Sequence, residues 1–456
     1  MSLLINLFFK LMINSNLMNY IHKVKYIAIY VIVLLTPTMV NANQKKIKVK
    51  IINNLVLIPV KLNGYELTLL LDTGVNKTIL FNVDPSILNL KHTPKTSMLM
   101  GLGSENTFES KRFYRNQLQV GDIRFNNLDV YLINNPVINF TPRLGYHVDG
   151  VIGYDFFKDY IVEVNYTSNY LKCFRQNEKN NIKFHKYDAF PIEFHNKKPY
   201  ININVDFEYG STPVKMLIDT GGSSSIWLIE RPELNIKAPE DNFFEDYLGI
   251  GLSGAIYGKR TYVKSINLKS FKFEQVTASF PDSLYIKKAS LVSRRGGSIS
   301  GEILKRFHMI IDYNNSKLYL KKNSNYRKPF SYNKSGLIVE QHGLRIEKQM
   351  LNKNAFKNNN TNKTLSENNY KYYQLVLIPS FKVVSVFENS PAFNAGLKPG
   401  DVIVSINGKY TSGMLLQDVN QFFYAEDKKK ISIVVDRQAK IYYFKFKLKD
   451  PIKKAS

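Results

Sequence analysis

Two short acidic segments, Asp72-Thr73-Gly74 and Asp219-Thr220-Gly221, each follow a run of largely apolar residues. An apolar run that ends at a glycine-containing turn is typical of a buried strand that stops at a loop. A carboxyl at the tip of such a strand is held rigidly, and in half-apolar surroundings it needs a partner. The matching positions of the two acids predict that Asp72 and Asp219 are partners.

The repeat extends well beyond the two acids. A Gly-x-Gly segment follows each of them, at Gly101-Leu102-Gly103 and at Gly249-Ile250-Gly251. An apolar-x-Gly turn comes later in each half, at residues 149–153 and 297–301, and leads into a short Phe-containing segment and a strand-like stretch. The chain therefore contains one unit of about 140 residues twice, in register.

These features resemble the aspartic proteases of the retropepsin and pepsin type, with both lobes on one chain. The resemblance covers residues 45–323, and the short lobes are nearer in size to the viral single-lobe enzyme. It implies two mainly β barrels that hydrolyse peptide or protein substrates without a cofactor or metal, with Asp72 and Asp219 as the catalytic pair. It also implies support of the active-site loops by Thr73, Gly74, Thr220 and Gly221. Finally, it implies flaps over the substrate at Gly101, Leu102, Gly103, Gly249, Ile250 and Gly251.

The chemistry of a carboxyl pair explains why two acids are needed. Peptide hydrolysis without a metal or a nucleophilic side chain requires a base that activates water and an acid that protonates the carbonyl oxygen. Two carboxyls sharing one proton supply both, because the like charge raises one pKa and lowers the other. Val75 follows the first Asp-Thr-Gly, where the family usually has Ala, Ser or Thr, and Gly222 follows the second, so neither is followed directly by a hydroxyl residue. The first flap has no Tyr, the residue that pepsins use there. A catalytically inactive peptide-binding or surface scaffold protein with the same folds is therefore the alternative.

A third unit follows the repeat. Residues 390–408 contain Ser-Pro-Ala, Ala-Gly-Leu, Pro-Gly-Asp and Ile-Asn-Gly at spacings that closely resemble a bacterial PDZ domain, a small α+β barrel. The resemblance implies a peptide-binding loop at Gly336, Leu337 and Ile338, because such a loop presents backbone N–H groups to a chain end. His342-Gly343-Leu344-Arg345 is a second candidate for this loop.

The expected organisation is an all-β repeat followed by this domain. It comprises a signal peptide or anchor at 1–42, a first lobe at 43–183, a second lobe at 184–323, a linker at 324–334 and a PDZ domain at 335–450. A polar Asn/Lys/Thr-rich run at about 350–370 reads as an insertion in the last domain.

The N-terminal segment predicts export. A basic region precedes an apolar core at residues 26–35, and Val40-Asn41-Ala42 fits a cleavage site. We therefore expect the protein in the periplasm or at the cell exterior. The alternative is an uncleaved anchor that keeps the chain at the membrane, and Met18 is an alternative start that gives a more ordinary signal.

Composition excludes several other classes. The net charge of +26 is spread along the 456 residues without a basic helix or an aromatic–basic module, so we expect no nucleic-acid partner. The lone Cys173 cannot form an intramolecular disulfide, and no set of residues has metal-ligand spacing. Gly249 to Gly254 also fits G-x-G-x-x-G, but a strand-like stretch follows it where a dinucleotide site requires a helix.

Overall fold

The structure is a computed structural model that describes residues 46–90, 93–99, 101–103, 107–136, 138–290, 292, 294–350 and 373–452. These residues fall within one compact unit, Lys45–Ser456. The expected leader at 1–42 and nearly all of the expected polar insertion lie outside the described residues. Within the described part of the chain, no helix is both long and apolar enough to cross a membrane.

The first lobe is built on an eight-stranded sheet in the order β2-β3-β4-β9-β5-β8-β7-β6. The strands of this half of the chain are β1 Ile47–Lys48, β2 Lys50–Ile52, β3 Leu55–Leu62, β4 Tyr65–Leu71, β5 Thr78–Phe81, β6 Lys95–Leu99, β7 Phe108–Val120, β8 Ile123–Ile133, β9 Gly150–Ile152, β10 Ile161–Asn165 and β11 Tyr170–Phe174. Its helices are α1 Thr141–Leu144 and α2 Tyr154–Phe157, followed by 3-10 turns at Gln176–Asn181 and Phe184–Lys186.

The second lobe repeats this topology strand for strand. Its sheet has the order β13-β14-β15-β20-β16-β19-β18-β17. The strands are β12 Asp188–Pro191, β13 Glu193–His195, β14 Lys198–Phe207, β15 Gly210–Asp219, β16 Ile226–Leu228, β17 Phe244–Gly251, β18 Gly254–Leu268, β19 Phe271–Pro281, β20 Arg295–Ser300, β21 Phe307–Asp312 and β22 Lys317–Lys322. The helices are α3 Ser283–Ser290 and α4 Gly301–Leu304, with a 3-10 turn at Pro232–Leu234.

In each lobe one short strand separates the two strands that flank an acidic loop. Strand β9 lies between β4 and β5, parallel to β4 and antiparallel to β5, and β20 lies in the same way between β15 and β16. The connection from β4 to β5 must therefore cross the end of β9 instead of forming a tight hairpin. This arrangement holds the acidic loop of each lobe rigidly at one end of its sheet.

A third sheet joins the two lobes. Its order, β1-β11-β10-β21-β22-β12, is symmetric about the central pair, where Glu163 lies opposite Ile310. One apolar core runs through both lobes and includes Leu69, Val162 and Ile218. Full burial of such a side chain contributes about 1.5–3 kcal/mol. The shared sheet and core place the two acidic loops face to face.

The C-terminal domain has its own sheet, in the order β23-β24-β25-β27-β28 with β26 beside β25. Its elements are β23 Leu337–Met350, β24 Tyr373–Val386, α5 Pro391–Asn394, β25 Val402–Ile406, β26 Lys409–Tyr410, α6 Leu416–Gln421, β27 Lys430–Arg437 and β28 Lys440–Lys447, with 3-10 turns at Thr411–Gly413 and Phe422–Tyr424. The Ser390 hydroxyl accepts a hydrogen bond from the Phe393 N–H at 3.2 Å and caps α5. A separate apolar core that includes Phe381, Ile403 and Val419 closes this domain.

Two segments singled out in the sequence lie as follows in the structure. The second loop candidate, residues 342–345, is part of strand β23, where Arg345 pairs with Ile378 of β24. The segment expected as a linker, residues 324–334, is packed: Phe330 lies under the Arg306 guanidinium at 3.8 Å, and Tyr332 clusters with Tyr262. The second lobe and the C-terminal domain are therefore joined by a buried aromatic segment.

Candidate active site

The two acidic loops meet at the floor of a cleft between the lobes. The Gly74 N–H donates to Asp72 Oδ1 at 2.7 Å, and the Gly221 N–H donates to Asp219 Oδ1 at 3.0 Å. A Cβ atom at Gly221 would overlap the Asp72 carboxyl, and one at Gly74 would lie 3.2 Å from Asp219 Oδ1. Each glycine therefore allows the acid of the opposite loop to approach, and the charge of Asp219 acts on Asp72.

Thr73 and Thr220 join the two acidic loops through reciprocal hydrogen bonds. The N–H of each donates to the hydroxyl of the other at 3.0 Å. The Thr73 hydroxyl donates onward to the Ile218 carbonyl at 2.6 Å, and the Thr220 hydroxyl donates to the Leu71 carbonyl at 2.7 Å. Both threonines are fully buried, so these bonds are shielded from water and fix the spacing of the two acids.

Burial and mutual repulsion make the pair hold a proton tightly. Burial first, and then the charge of Asp219, raise the pKa of Asp72 to about 7. Burial also raises the pKa of Asp219, against the opposing effects of Arg295, the Gly221 N–H, Lys198 and the Gly222 N–H. Because the two groups interact, their pKa values describe the pair. One shared proton is the expected state at mildly acidic pH.

The two Gly-rich hairpins meet at their tips and line the same cavity as the acids. Gly103 forms a parallel bridge with Ser253, and the Ser253 N–H donates to the Leu102 carbonyl at 3.0 Å. A Cβ atom at Gly101 would overlap Leu252, and one at Gly251 would overlap the Leu102 carbonyl. Gly249 and Ile250 belong to β17 on the way to the second tip and line the cleft. All six predicted flap residues thus lie in two hairpins whose tips contact each other.

Family profiles match two parts of the chain. A profile described as aspartyl protease matches residues 58–156, and one described as PDZ domain matches residues 382–437. The chain carries an aspartyl protease domain followed by a PDZ domain. A search of curated proteins found no match.

The two profiles cover the motifs unequally. The protease profile spans Asp72, Thr73, Gly74 and the first flap, whereas Asp219 lies outside the matched residues. Its equivalence with Asp72 depends on the identical strand order of the two lobes and on the reciprocal threonine bonds. The described residues contain no cluster of His, Cys, Asp and Glu that could hold a metal ion.

A single cavity of about 1790 Å³ contains both acids. The flaps form part of its wall, and so do the PDZ residues Gly336, Leu337 and Ile338. Gly336 has a left-handed backbone with φ of 80°, and it precedes β23, an edge strand of the PDZ sheet. The predicted peptide-binding loop of the PDZ domain and the protease acids thus open onto one space.

Sequence reasoning missed the contacts that dock the PDZ domain. Arg143 of α1 forms an ion pair with Glu340 of β23, and its guanidinium lies 4.4 Å from the Tyr247 ring of the second flap hairpin. The Asn53 N–H donates to the Gln417 side chain of α6 at 3.2 Å. These partners are far apart in sequence, so no local pattern could have indicated them.

Sequence reasoning also missed two cations beside the acids. Lys198 and Arg295 line the cleft and interact electrostatically with Asp219. Arg295 is 7% exposed, and its Nε donates to the Gly297 carbonyl at 3.2 Å. The only signal for it in the sequence is a Gly-Gly pair, residues 296 and 297, after an arginine.

Proposed function

We propose that the protein is an aspartic endopeptidase that hydrolyses peptide bonds with a water activated between Asp72 and Asp219. The observation that carries the proposal is a pair of carboxyls on equivalent loops, each aligned by the glycine N–H of its own loop and lying against the glycine of the other. A rigid pair with one shared proton matches the requirement for a base and an acid at the same bond.

The surroundings of the two acids favour different roles. Burial favours the proton at both acids, and Lys198 favours the anion at both. The difference is that Arg295 and the N–H groups of Gly221 and Gly222 favour the anion at Asp219, whereas Asp72 has only the Gly74 N–H besides Lys198 and is also repelled by Asp219. We therefore assign Asp219 as the base that takes a proton from water, and Asp72 as the acid that protonates the substrate carbonyl oxygen. The resulting tetrahedral diol collapses when one hydroxyl returns its proton to Asp72 and Asp219 passes its proton to the leaving amine.

The dimensions of the cleft support a polypeptide substrate. The cavity of about 1790 Å³ is larger than the roughly 300–1,000 Å³ that small-molecule sites occupy. The joined flap tips form a roof over it, so an extended chain would lie between the roof and the acids. Because the flaps interlock, they must separate for a chain to enter.

The PDZ domain is proposed to bind peptide and to influence access to this cleft. Among the residues that the structure describes, strand β23 lies at the edge of its sheet, and an extended peptide can add to such an edge as a further strand. Glu340 of β23 holds Arg143, which in turn lies against Tyr247 of the flap hairpin. A peptide bound at β23 would therefore be connected to the flap hairpin through Glu340 and Arg143.

Export is proposed from the N-terminal segment alone. Its basic region, short apolar core and Val-Asn-Ala site fit a signal removed after Ala42, which would place the enzyme in the periplasm or at the cell exterior. N-terminal sequencing of the protein from its native host tests this. A mature chain that starts at Met1 or Met18 would indicate a membrane anchor.

The rival proposal is an inactive peptide-binding protein, favoured by one observation. Val75 and Gly222 supply no hydroxyl next to the acids. At the second acid the Gly222 N–H lowers the pKa of Asp219 against the effect of burial, and so favours its anion. Turnover of a mixed peptide library, with a pepstatin-like inhibitor as control, separates the two proposals: cleavage that the inhibitor blocks supports the enzyme, and binding without cleavage supports the rival.

A further inference from the structure

A bulge in strand β20 turns an arginine toward the cleft. Lys215 pairs with Arg295 and Met216 with Gly297, so Gly296 is an extra residue in the ladder. Paired residues share a face of the sheet, and alternate residues along a strand do so too. Arg295 therefore lies on the face of Lys215 and Asp219. In a regular strand Arg295 would point to the opposite face.

The same face carries the other side chains of a pocket beside Asp219. Tyr200 pairs with Leu217, and Ser298 pairs with both Leu217 and Trp227, which forms one row across four strands. Lys198 is two residues before Tyr200 on β14 and shares its face. We name the set of Lys198, Tyr200, Trp227 and Arg295 the second-lobe pocket, and all four residues line the cleft.

The second-lobe pocket has an excess of positive charge. Lys215 is neutralised by Glu193 at 2.5 Å, and Arg231 by Glu233 at 3.2 Å. Within the described ranges, neither Lys198 nor Arg295 forms an ion pair with a carboxylate. The acids at 72 and 219, with one shared proton, carry one negative charge against these two cations.

Two cations beside one negative charge leave one positive charge uncompensated in a buried site, which is costly, so a complementary anion is expected from outside the chain. Arg295 is nine-tenths buried and faces a cleft built for peptide. A guanidinium binds a carboxylate through two parallel hydrogen bonds, which gives direction as well as affinity. The ring of Trp227 and the side chain of Leu217 offer apolar walls for the methylene groups that carry such a carboxylate.

We propose that the second-lobe pocket binds a carboxylate of the substrate, in a residue close to the scissile bond, and so makes the enzyme selective for acidic peptides. The carboxylate comes either from a Glu or Asp side chain or from the end of a chain. This inference deepens the proposed endopeptidase function and rests on it.

The test compares matched peptides. A library in which each position carries either Glu or Gln is offered to the wild-type protein, and kcat/KM is measured for each pair. We expect at least a tenfold preference for Glu at one position near the cleaved bond. In Arg295→Met the ratio should fall close to one. Lys77→Met, which removes a cation from the first-lobe wall of the same cavity, is the control and should keep the ratio.

Two further comparisons identify the source of the carboxylate and keep the test valid if a variant fails to fold. Peptides with a free or an amidated C-terminus distinguish a chain end from an internal acid, because only a chain-end site discriminates between them. Arg295→Lys retains the charge without the planar fork and should show an intermediate preference. If Arg295→Met does not fold, Lys198→Met takes its place and should lower the ratio at least threefold.

Binding to the Asp72→Asn variant separates this inference from the proposed function. Calorimetry with Glu and Gln peptides should show at least tenfold tighter binding of the Glu peptide. If the Glu peptide binds more tightly but the wild-type protein cleaves no peptide, the carboxylate pocket is supported and the proposed endopeptidase function is contradicted. Cleavage or binding with no discrimination between Glu and Gln at any position overturns the pocket.

Discussion

The hydroxyl of Thr220 lies 3.0 Å from the N–H of Thr73, and the hydroxyl of Thr73 lies 3.0 Å from the N–H of Thr220. This reciprocal pair joins two loops that are 147 residues apart in the chain. Its geometry positions the acids that precede each threonine.

The first prediction removes one of these hydroxyls. Thr220→Val keeps the shape of the side chain but leaves the buried Thr73 N–H and the Leu71 carbonyl without their partner. Each unsatisfied buried group costs about 1–3 kcal/mol, so we expect a loss of at least about 2 kcal/mol in the free energy of unfolding. Urea denaturation measures it. Thr220→Ser retains the hydroxyl and should lose less than about 1.5 kcal/mol. Equal losses in the two variants would show that the hydroxyl does not matter.

The second prediction concerns the pH dependence of stability. Because the pKa of Asp72 is raised from 3.8 to about 7, the folded protein keeps a proton that the unfolded chain releases. The contribution of this proton to the free energy of unfolding is therefore fully present below about pH 4, and it is lost as the pH rises through about 7. Asp72→Asn removes this effect and should be more stable than the wild type by more than about 1 kcal/mol at pH 8.

The difference between Asp72→Asn and wild type should shrink as the pH is lowered to 4. Asp159→Asn, at an exposed position, is the control and should track the wild type at every pH. Chemical denaturation at pH 4, 6 and 8 gives the comparison. If the stability difference between Asp72→Asn and the wild type grows as the pH falls, the pKa of Asp72 is not raised in the folded protein.

The third prediction separates the flap tips. In Gly251→Ala the new methyl group would overlap the Leu102 carbonyl, so the tips cannot meet as they do here. We expect kcat/KM for a peptide to fall by about tenfold, which corresponds to about 1.4 kcal/mol in the barrier. Gly413→Ala, whose Cβ would meet open space, should leave turnover unchanged. Full activity in Gly251→Ala would mean that the joined roof has no part in turnover.

The fourth prediction tests the contact between the PDZ domain and the flap. If the PDZ domain acts on the cleft through Arg143, Glu340→Gln should change kcat/KM for short peptides by tenfold or more. Arg143→Gln and the double variant complete a cycle, in which the two changes should be non-additive by about 0.5–3 kcal/mol. Glu347→Gln breaks a different ion pair of the same strand, with Arg345, and is the control.

The rival interpretation of the PDZ domain is simple retention of substrate through effective concentration. Under that interpretation Glu340→Gln leaves short-peptide turnover unchanged, and only long protein substrates that also occupy the PDZ domain are cleaved less efficiently when its groove is blocked. Comparing short and long substrates on the same variants therefore decides between retention and regulation.

Local patterns predicted the parts of the fold that depend on neighbouring residues. The Asp-Thr-Gly loops and their strands follow from apolar runs and turns that lie within a few residues of each other. The duplication predicted that the lobes would share a topology, and the strand orders confirm it.

Other features could not be read from the chain because they depend on register or on packing between domains. Simple alternation places Arg295 on the wrong face, and only the bulge at Gly296 turns it into the cleft. The meeting of Gly103 with Ser253 and the docking of Glu340 on Arg143 join segments whose relative position is set by the assembled tertiary structure.

The most direct test of the account is peptide-bond cleavage by the wild type, Asp72→Asn and Asp219→Asn, measured on one mixed peptide library with thermal unfolding of each protein as the folding control. We predict cleavage by the wild type and a loss of several orders of magnitude in both variants, which remain folded, because each acid depends on the charge of the other. Cleavage that survives in either folded variant would contradict the shared-proton pair.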